Sequence, residues 1–253
     1  MKTRRYVFVT EYMGTNYSGW QAQSHKNTIC DVLTQAVCKV LNEEVSLFSS
    51  GRTDLGVHAV RQYVHFDTSA KLKTGCFCLG VNTVLPDDIS VRECYEVSDD
   101  FDARKSALSK TYLYKMFISP TRSPLRHETH AQNYFPLDLE KMRLAAACLI
   151  GEHDFSAFRA TGGYAKTTIR TIIDIRIKEV NDEVHFFVEG SGFLYNMVRI
   201  IVGTLVYVGR GKIAAEDVVK ILEGKDRKLA GKTMPPQGLY LFDVKYLPHY
   251  FKK

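Results

Sequence analysis

The sequence predicts an α+β fold of two related halves, with largely antiparallel sheet and helices covering one face. Three observations predict it. Segments of alternating apolar and polar residues recur along the whole chain, with the period of a half-buried strand. Stretches with a helical apolar stripe lie among them, without the regular strand–helix–strand repetition of a parallel doubly wound sheet. Helix-plus-strands groupings stand on both sides of about residue 105, so the halves are expected at 1–104 and 105–253, although no fixed-period repeat is visible.

The first strand is expected at Tyr6 to Glu11. A helix follows, opening at Thr28 with Asp31 three residues on, and Ile29, Leu33, Ala36, Val37, Val40 and Leu41 form its inner stripe. Strands at Ala59 to Asp67 and Ser90 to Val97 complete the first half. The second half begins with a strand at Thr111 to Ile118, then a loop, Ser119 to Tyr134, whose two prolines mark it as the expected mobile segment. The next helix starts after Asp138, turns Leu139, Met142, Ala146, Leu149 and Ile150 inward, and is expected to stop at a left-handed Gly151. Strands at Thr171 to Lys178 and Val184 to Glu189 lead to a helix from Phe193 to Val208 that is apolar on nearly all sides and ends at Gly209. A helix near Glu216 to Leu222, with acids in its first turn, and a strand at Leu239 to Tyr246 close the chain.

With 253 residues and 45% hydrophobic content the chain can bury a sizeable core. Its longest apolar stretch, Met197 to Val208, falls short of the ~20 residues of a membrane span and is interrupted by Arg199 and Gly203. The expected location is the cytoplasm, because the opening residues lack an uninterrupted apolar stretch and a small-residue cleavage site. The six cysteines show no paired C-x-x-C spacing. His127 and His130 flank Glu128, but helical metal ligands need i, i+4 spacing, so no metal is expected. A formal charge of +6 permits a polyanionic partner without requiring one.

The most unusual local arrangement is Ser50-Gly51-Arg52-Thr53-Asp54-Leu55-Gly56-Val57-His58-Ala59, an acid and an arginine two apart between glycines and ahead of a strand. Glycines at 51 and 56 allow close ligand approach, so Asp54 can project into a cleft; an aspartate in such a turn also commonly satisfies nearby amides. Tyr112 shares a strand face with Tyr114 and Met116 and reads either as core or as a ring on which a base stacks. Arg199 interrupts an apolar helix, and there a guanidinium either reaches water at the helix edge or pairs with a carbonyl or carboxylate, Asp54 being a candidate. Gly190-Ser191-Gly192 lacks the third glycine of a dinucleotide loop, and Gly209-Arg210-Gly211-Lys212 follows a helix instead of preceding one, so no nucleotide cofactor is expected.

The run from Gly51 to Ala59 resembles the catalytic motif of the tRNA pseudouridine synthase A family. Further segments resemble the family in its order: Gly14-Thr15 with Gly19-Trp20-Gln21-Ala22-Gln23, Asn82 with Leu85-Pro86, Lys110-Thr111-Tyr112-Leu113-Tyr114, and His153-Asp154-Phe155-Ser156-Ala157-Phe158. Gly192-Phe193-Leu194 with Met197-Val198-Arg199, and Pro235-Pro236-Gln237-Gly238-Leu239-Tyr240-Leu241, extend the likeness over nearly the whole chain. The resemblance implies a pseudouridine-synthase-like fold with a catalytic cleft between the halves. It also implies a homodimer that converts uridine to pseudouridine at positions 38, 39 and 40 of the tRNA anticodon stem-loop without metal or organic cofactor. On the same basis Asp54 is the essential aspartate, Tyr112 contacts the target base, Arg199 pairs with the aspartate, and Arg52 helps displace or hold the nucleotide. Met13, Tyr63 and Lys105 depart from common family residues, and none is in that set. A non-catalytic tRNA-binding protein, a paralogue acting at another tRNA position, and an RNA-directed hydrolase are the competing readings.

Overall fold

The computed structural model describes residues 3–23, 27–163 and 165–252; Met1 and Lys253, the outer bounds of the two expected halves, lie outside them. Two compact units emerge, Met1–Leu108 with Leu241–Lys253, and Ser109–Tyr240. The division thus falls four residues after the expected one (108 against 104), and the last segment of the chain returns to the first unit. The return has a structural cause: the final strand takes the place beside the long strand after Asp54.

The first unit contains β1 (Arg4–Tyr12), α1 (Ile29–Leu41), β2 (Phe48–Ser49), β3 (His58–Thr68), α2 (Thr74–Asn82) and β4 (Ile89–Glu96). β1 pairs antiparallel with both β3 and β4, and β2 antiparallel with β3. Tyr6, Val7, Phe8 and Val9 are all fully buried, so β1 is covered on both faces. α1 begins as its sequence requires: Thr28 Oγ1 accepts the Asp31 N–H at 3.2 Å and donates to Asp31 Oδ2 at 2.6 Å. It ends at Asn42, which takes the left-handed conformation (φ 50°). α2 has no expected counterpart, because Gly75, Gly80 and two cysteines blur its pattern; it buries Phe77, Cys78 and Val81.

The second unit contains β5 (Ser109–Ile118), β6 (Ala131–Asn133), α3 (Leu139–Ala147), β7 (Gly151–Asp154), β8 (Ile169–Val180), β9 (Glu183–Gly190), α4 (Met197–Gly209) and α5 (Asp217–Gly224). Its strand order is β5-β9-β8-β7, all antiparallel, with β6 parallel to β5. β10 (Leu239–Lys245) leads back to the first unit, where it neighbours β3. The α+β class with largely antiparallel sheet is as predicted.

Two expectations are corrected, and the expected loop gains detail. α3 stops at Ala147 on a right-handed Cys148, and Gly151, at φ 112°, instead starts β7. α4 starts at Met197, because Asn196 is left-handed (φ 59°) and Tyr195 and Asn196 form a turn before it, closed by the Met197 N–H onto the Leu194 carbonyl at 3.1 Å. The loop 119–134 carries backbone structure: β6 pairs with β5, and Arg126 is ion-paired to Asp182 at 2.6 Å and to Glu183 at 3.6 Å.

His65 on β3 is a buried imidazole whose Nδ1 accepts the Ala103 N–H at 3.1 Å. Burial, helped by the charge of Arg5, holds it below the ordinary value of 6.5. The folded state therefore takes up this proton less readily than the unfolded chain, and His65's contribution is complete above the unfolded pKa and lost as pH falls through the folded one. The urea midpoint is expected to fall between about pH 7 and pH 5, and His65→Asn, whose Oδ1 can accept without titrating in this range, to remove part of that fall. An unchanged slope in the variant would show that other groups carry it.

Candidate active site

Within the first unit, the loop between β2 and β3 is held from two sides. From β3, Gln62 donates through Nε2 to the Gly51 carbonyl at 2.6 Å and accepts from Ser50 Oγ at 2.5 Å, while the Ser50 N–H donates to the Tyr63 carbonyl at 2.8 Å. From the segment joining β1 to α1, the Trp20 N–H donates to the Thr53 carbonyl at 2.9 Å and the Gly14 N–H to His58 Nδ1, also at 2.9 Å. The Tyr12 hydroxyl meets Thr53 Oγ1 at 2.8 Å. A Cβ at Gly14 would lie 2.0 Å from the Val57 carbonyl oxygen, so the two backbones touch and only glycine fits.

The Val57 N–H closes a turn onto the Asp54 carbonyl at 3.1 Å, and Gly56 provides the positive φ (76°) inside it. Thr53 and His58 are buried by these clamps, whereas Asp54 is half-buried and Arg52 exposed. A carboxylate and a guanidinium two residues apart thus stand on a backbone whose neighbours are fixed, an arrangement that preorganises charged groups for a bound ligand.

In the second unit Tyr112 lies on β5 opposite Val188 of β9 and is half-buried. Its ring meets Phe193 edge-on, with centroids 5.0 Å apart at 85°. Phe193 lies four residues before α4, ahead of the Tyr195–Asn196 turn that enters it, so this contact ties Tyr112 to the segment leading to the helix bearing Arg199. Arg199 is the third residue of α4 and half-buried; its Nε donates to the Met234 carbonyl at 2.6 Å and its Nη1 to Asn196 Oδ1 at 2.7 Å. The carbonyl partner expected of an arginine in an apolar helix is present. Tyr114, two residues beyond Tyr112, is fully buried and donates to the Pro235 carbonyl at 2.8 Å. Burial pushes its phenol well above the ordinary range, and the charge of Arg199 pulls the other way.

Of the four predicted residues, Arg52 and Asp54 share one loop of the first unit, and Tyr112 and Arg199 belong to the second. A shallow concavity on the 119–134 loop, lined by Arg122, Leu125, His127 and Glu128 among others, includes none of them. Sequence reasoning missed Tyr12, His58, Gln62 and Asn196, which position the loop and the arginine. The signal for the β3 pair was polar residues inside a strand that is otherwise buried.

A family model described as tRNA pseudouridine synthase matches residues 8–104 and 145–247. The tRNA pseudouridine synthase A of Thermoanaerobacter sp. (strain X514) is 47% identical over 243 residues, covering 96% of this chain and 100% of that one. That of Acetivibrio thermocellus is 45% identical over 244 residues, again 96% and 100%. That of Exiguobacterium sibiricum is 42% identical over 243 residues, 96% and 97%.

The chain belongs to the tRNA pseudouridine synthase family.

It is accordingly an isomerase of tRNA uridine. The clamped loop with Arg52 and Asp54 lies in the first stretch matched by the family model, and Arg199 with its helix in the second. Tyr112 falls between the two stretches, inside the span of the unmatched residues 105–144. Among the described residues no helix is long and apolar enough to cross a membrane.

Proposed function

We propose that this enzyme isomerises uridine to pseudouridine at positions 38, 39 and 40 of the tRNA anticodon stem-loop, with Asp54 as its essential carboxylate. The observation that carries the reading is the loop itself: in a member of this family, the motif aspartate stands half-buried on a turn whose flanking residues are locked from both sides. Tyr112 contacts the target base, Arg199 favours the ionised carboxylate, and Arg52 holds or displaces the nucleotide. The enzyme works as a cytoplasmic homodimer and its chemistry uses neither metal nor organic cofactor.

The reaction breaks the bond from N1 of uracil to the ribose, turns the enclosed base, and joins C5 to the same ribose carbon. C5 loses its proton and N1 regains one, so the mass of the RNA is unchanged. A carboxylate can attack the base, attack the sugar or remove a ribose proton, and each role needs it ionised. Hydrolysis of a glycosidic bond generally uses two carboxylates, and one strong acid motif suits isomerisation better.

The test is release of tritium from C5-labelled uridine in unmodified tRNA, with mapping of the modified positions. Free uracil as product would favour a hydrolase, modification at other positions a paralogue, and tRNA binding without release a non-catalytic protein.

Extruding a stacked nucleotide costs a few kcal/mol, and stacking on an aromatic ring returns roughly 1–3 kcal/mol. Tyr112→Ala is therefore expected to lower kcat/KM by about 5- to 150-fold. Tyr112→Phe keeps the ring and isolates what the hydroxyl adds. Full activity and RNA affinity in both variants would remove Tyr112 from the site.

A further inference from the structure

Outside the loop and arginine just described, two histidines and a glutamate of the second unit converge. Glu183 and His185 are two apart on β9, so alternation turns both to one face, while Val184 and Phe186 are buried on the other. His130, immediately before β6, reaches the same point. His185 Nε2 lies 2.7 Å from Glu183 Oε2, and His130 Nε2 lies 3.3 Å from that same oxygen. The three side chains are only 12%, 17% and 19% exposed for His130, His185 and Glu183. One ligand atom from each falls within 4.8 Å of the others.

We propose that His130, Glu183 and His185 form a binding site for a divalent transition-metal ion of the zinc class, with a fourth position open to water or another ligand. Two imidazole nitrogens and one carboxylate oxygen are the donor set such ions take when three protein ligands hold them. With bonds of about 2.0–2.1 Å, the edge of a tetrahedron is about 3.3 Å, so the His130–Glu183 spacing already fits and the His185–Glu183 contact has to open by roughly half an ångström.

The surroundings suit the same assignment. His130 Nδ1 is 2.8 Å from Thr129 Oγ1, which can take its N–H and leave Nε2 bare to coordinate. Arg126 approaches the other oxygen of Glu183, Oε1, at 3.6 Å, and its charge is met by Asp182 at 2.6 Å. Lys115 places its ammonium over the Tyr240 ring, 4.7 Å from the centroid. Burial is the main influence holding His130 below its ordinary value, and a neutral imidazole is the form a metal needs. Burial alone would raise the Glu183 carboxyl, but the hydrogen bond with His185, with the charge of Arg126 among further influences, keeps it below the ordinary value. A bound ion would tie the loop ending at His130 to β9. The site involves none of Asp54, Arg52, Tyr112 or Arg199 and does not depend on the reading of their roles.

The test titrates the metal-free full chain with Co²⁺, then displaces it with Zn²⁺. One Co²⁺ per chain is expected, with the visible bands of a tetrahedral nitrogen–oxygen site and no thiolate charge-transfer band. His130→Gln and His185→Gln should each weaken binding by more than the roughly 10–100-fold that loss of an outer-shell partner costs, with tritium release from tRNA retained. Should either variant fail to fold, protection of His130 and His185 of the unaltered protein from diethyl pyrocarbonate by Zn²⁺, mapped by mass spectrometry, answers the same question. The assignment is overturned by thiolate bands alone, by absence of Co²⁺ absorption, by binding that persists in both variants, or by labelling that Zn²⁺ leaves unchanged.

Discussion

Asp54→Asn is expected to stop tritium release from C5-labelled tRNA, with a rate loss on the order of 10,000-fold or more, while tRNA affinity stays within a few-fold. Asparagine has nearly the shape of aspartate, and the turn is closed by a backbone bond from Val57 to the residue 54 carbonyl, which the substitution leaves in place. What disappears is the ionised carboxylate that every proposed role requires. Activity within about tenfold of the native enzyme would remove Asp54 from the chemistry. The proposal for Arg199 adds a second reading to the same assay. If the arginine acts by favouring ionisation of that carboxylate, Arg199→Met lowers activity in the native background and adds little in Asp54→Asn, the non-additivity of residues that act as a unit.

Gly203→Ala is expected to cost about 3 kcal/mol of stability or more, and with it most activity. A Cβ at Gly203 would stand 1.8 Å from the Lys232 carbonyl oxygen, and one at Gly231 would stand 2.4 Å from the Gly203 carbonyl carbon. α4 and the segment after α5 therefore pass backbone against backbone, and a methyl group has no flexible side chain to push aside. Separating them would break the bond from the Gly231 N–H to Thr204 Oγ1, 2.9 Å, and the reciprocal bonds between Arg199 and Met234, at 2.6 and 3.2 Å. Urea denaturation measures the loss. Gly75→Ala is the control: nothing lies within 4 Å of its added Cβ, and in α2 it should be neutral or stabilising by up to about 1 kcal/mol. Equal midpoints for the two variants would show that the close approach carries no energy.

Where a local rule decides structure, the sequence was sufficient. The Thr28–Asp31 cap, the apolar stripe of α1 and the period of β3, β8 and β10 placed those elements within a few residues. Where a contact overrides the local rule, it was not. The helix expected from Phe193 loses its first turn to a left-handed Asn196, whose side chain accepts from Arg199. α2 forms despite its glycines because Phe77, Cys78 and Val81 find a buried place. Arg52 and Asp54 stood out as a guanidinium and a carboxylate two apart between glycines, and the family resemblance is what gave them expected roles. Tyr12, Gln62 and His58 were not singled out, because their role lies in what they bind across the fold.

The sequence by itself determined the α+β class, which is written in neighbouring residues through periodicity and capping, and it carried the family in a series of ordered motifs that resemble those of its members. Only the tertiary structure decided that Gly14 must lie against Val57, that Gly203 must lie against Lys232, and that His130 meets Glu183 and His185. The H-E-T-H run lacks the spacing of helical metal ligands, and the meeting of His130 with Glu183 and His185 was not legible because strand pairing joins residues far apart in the chain.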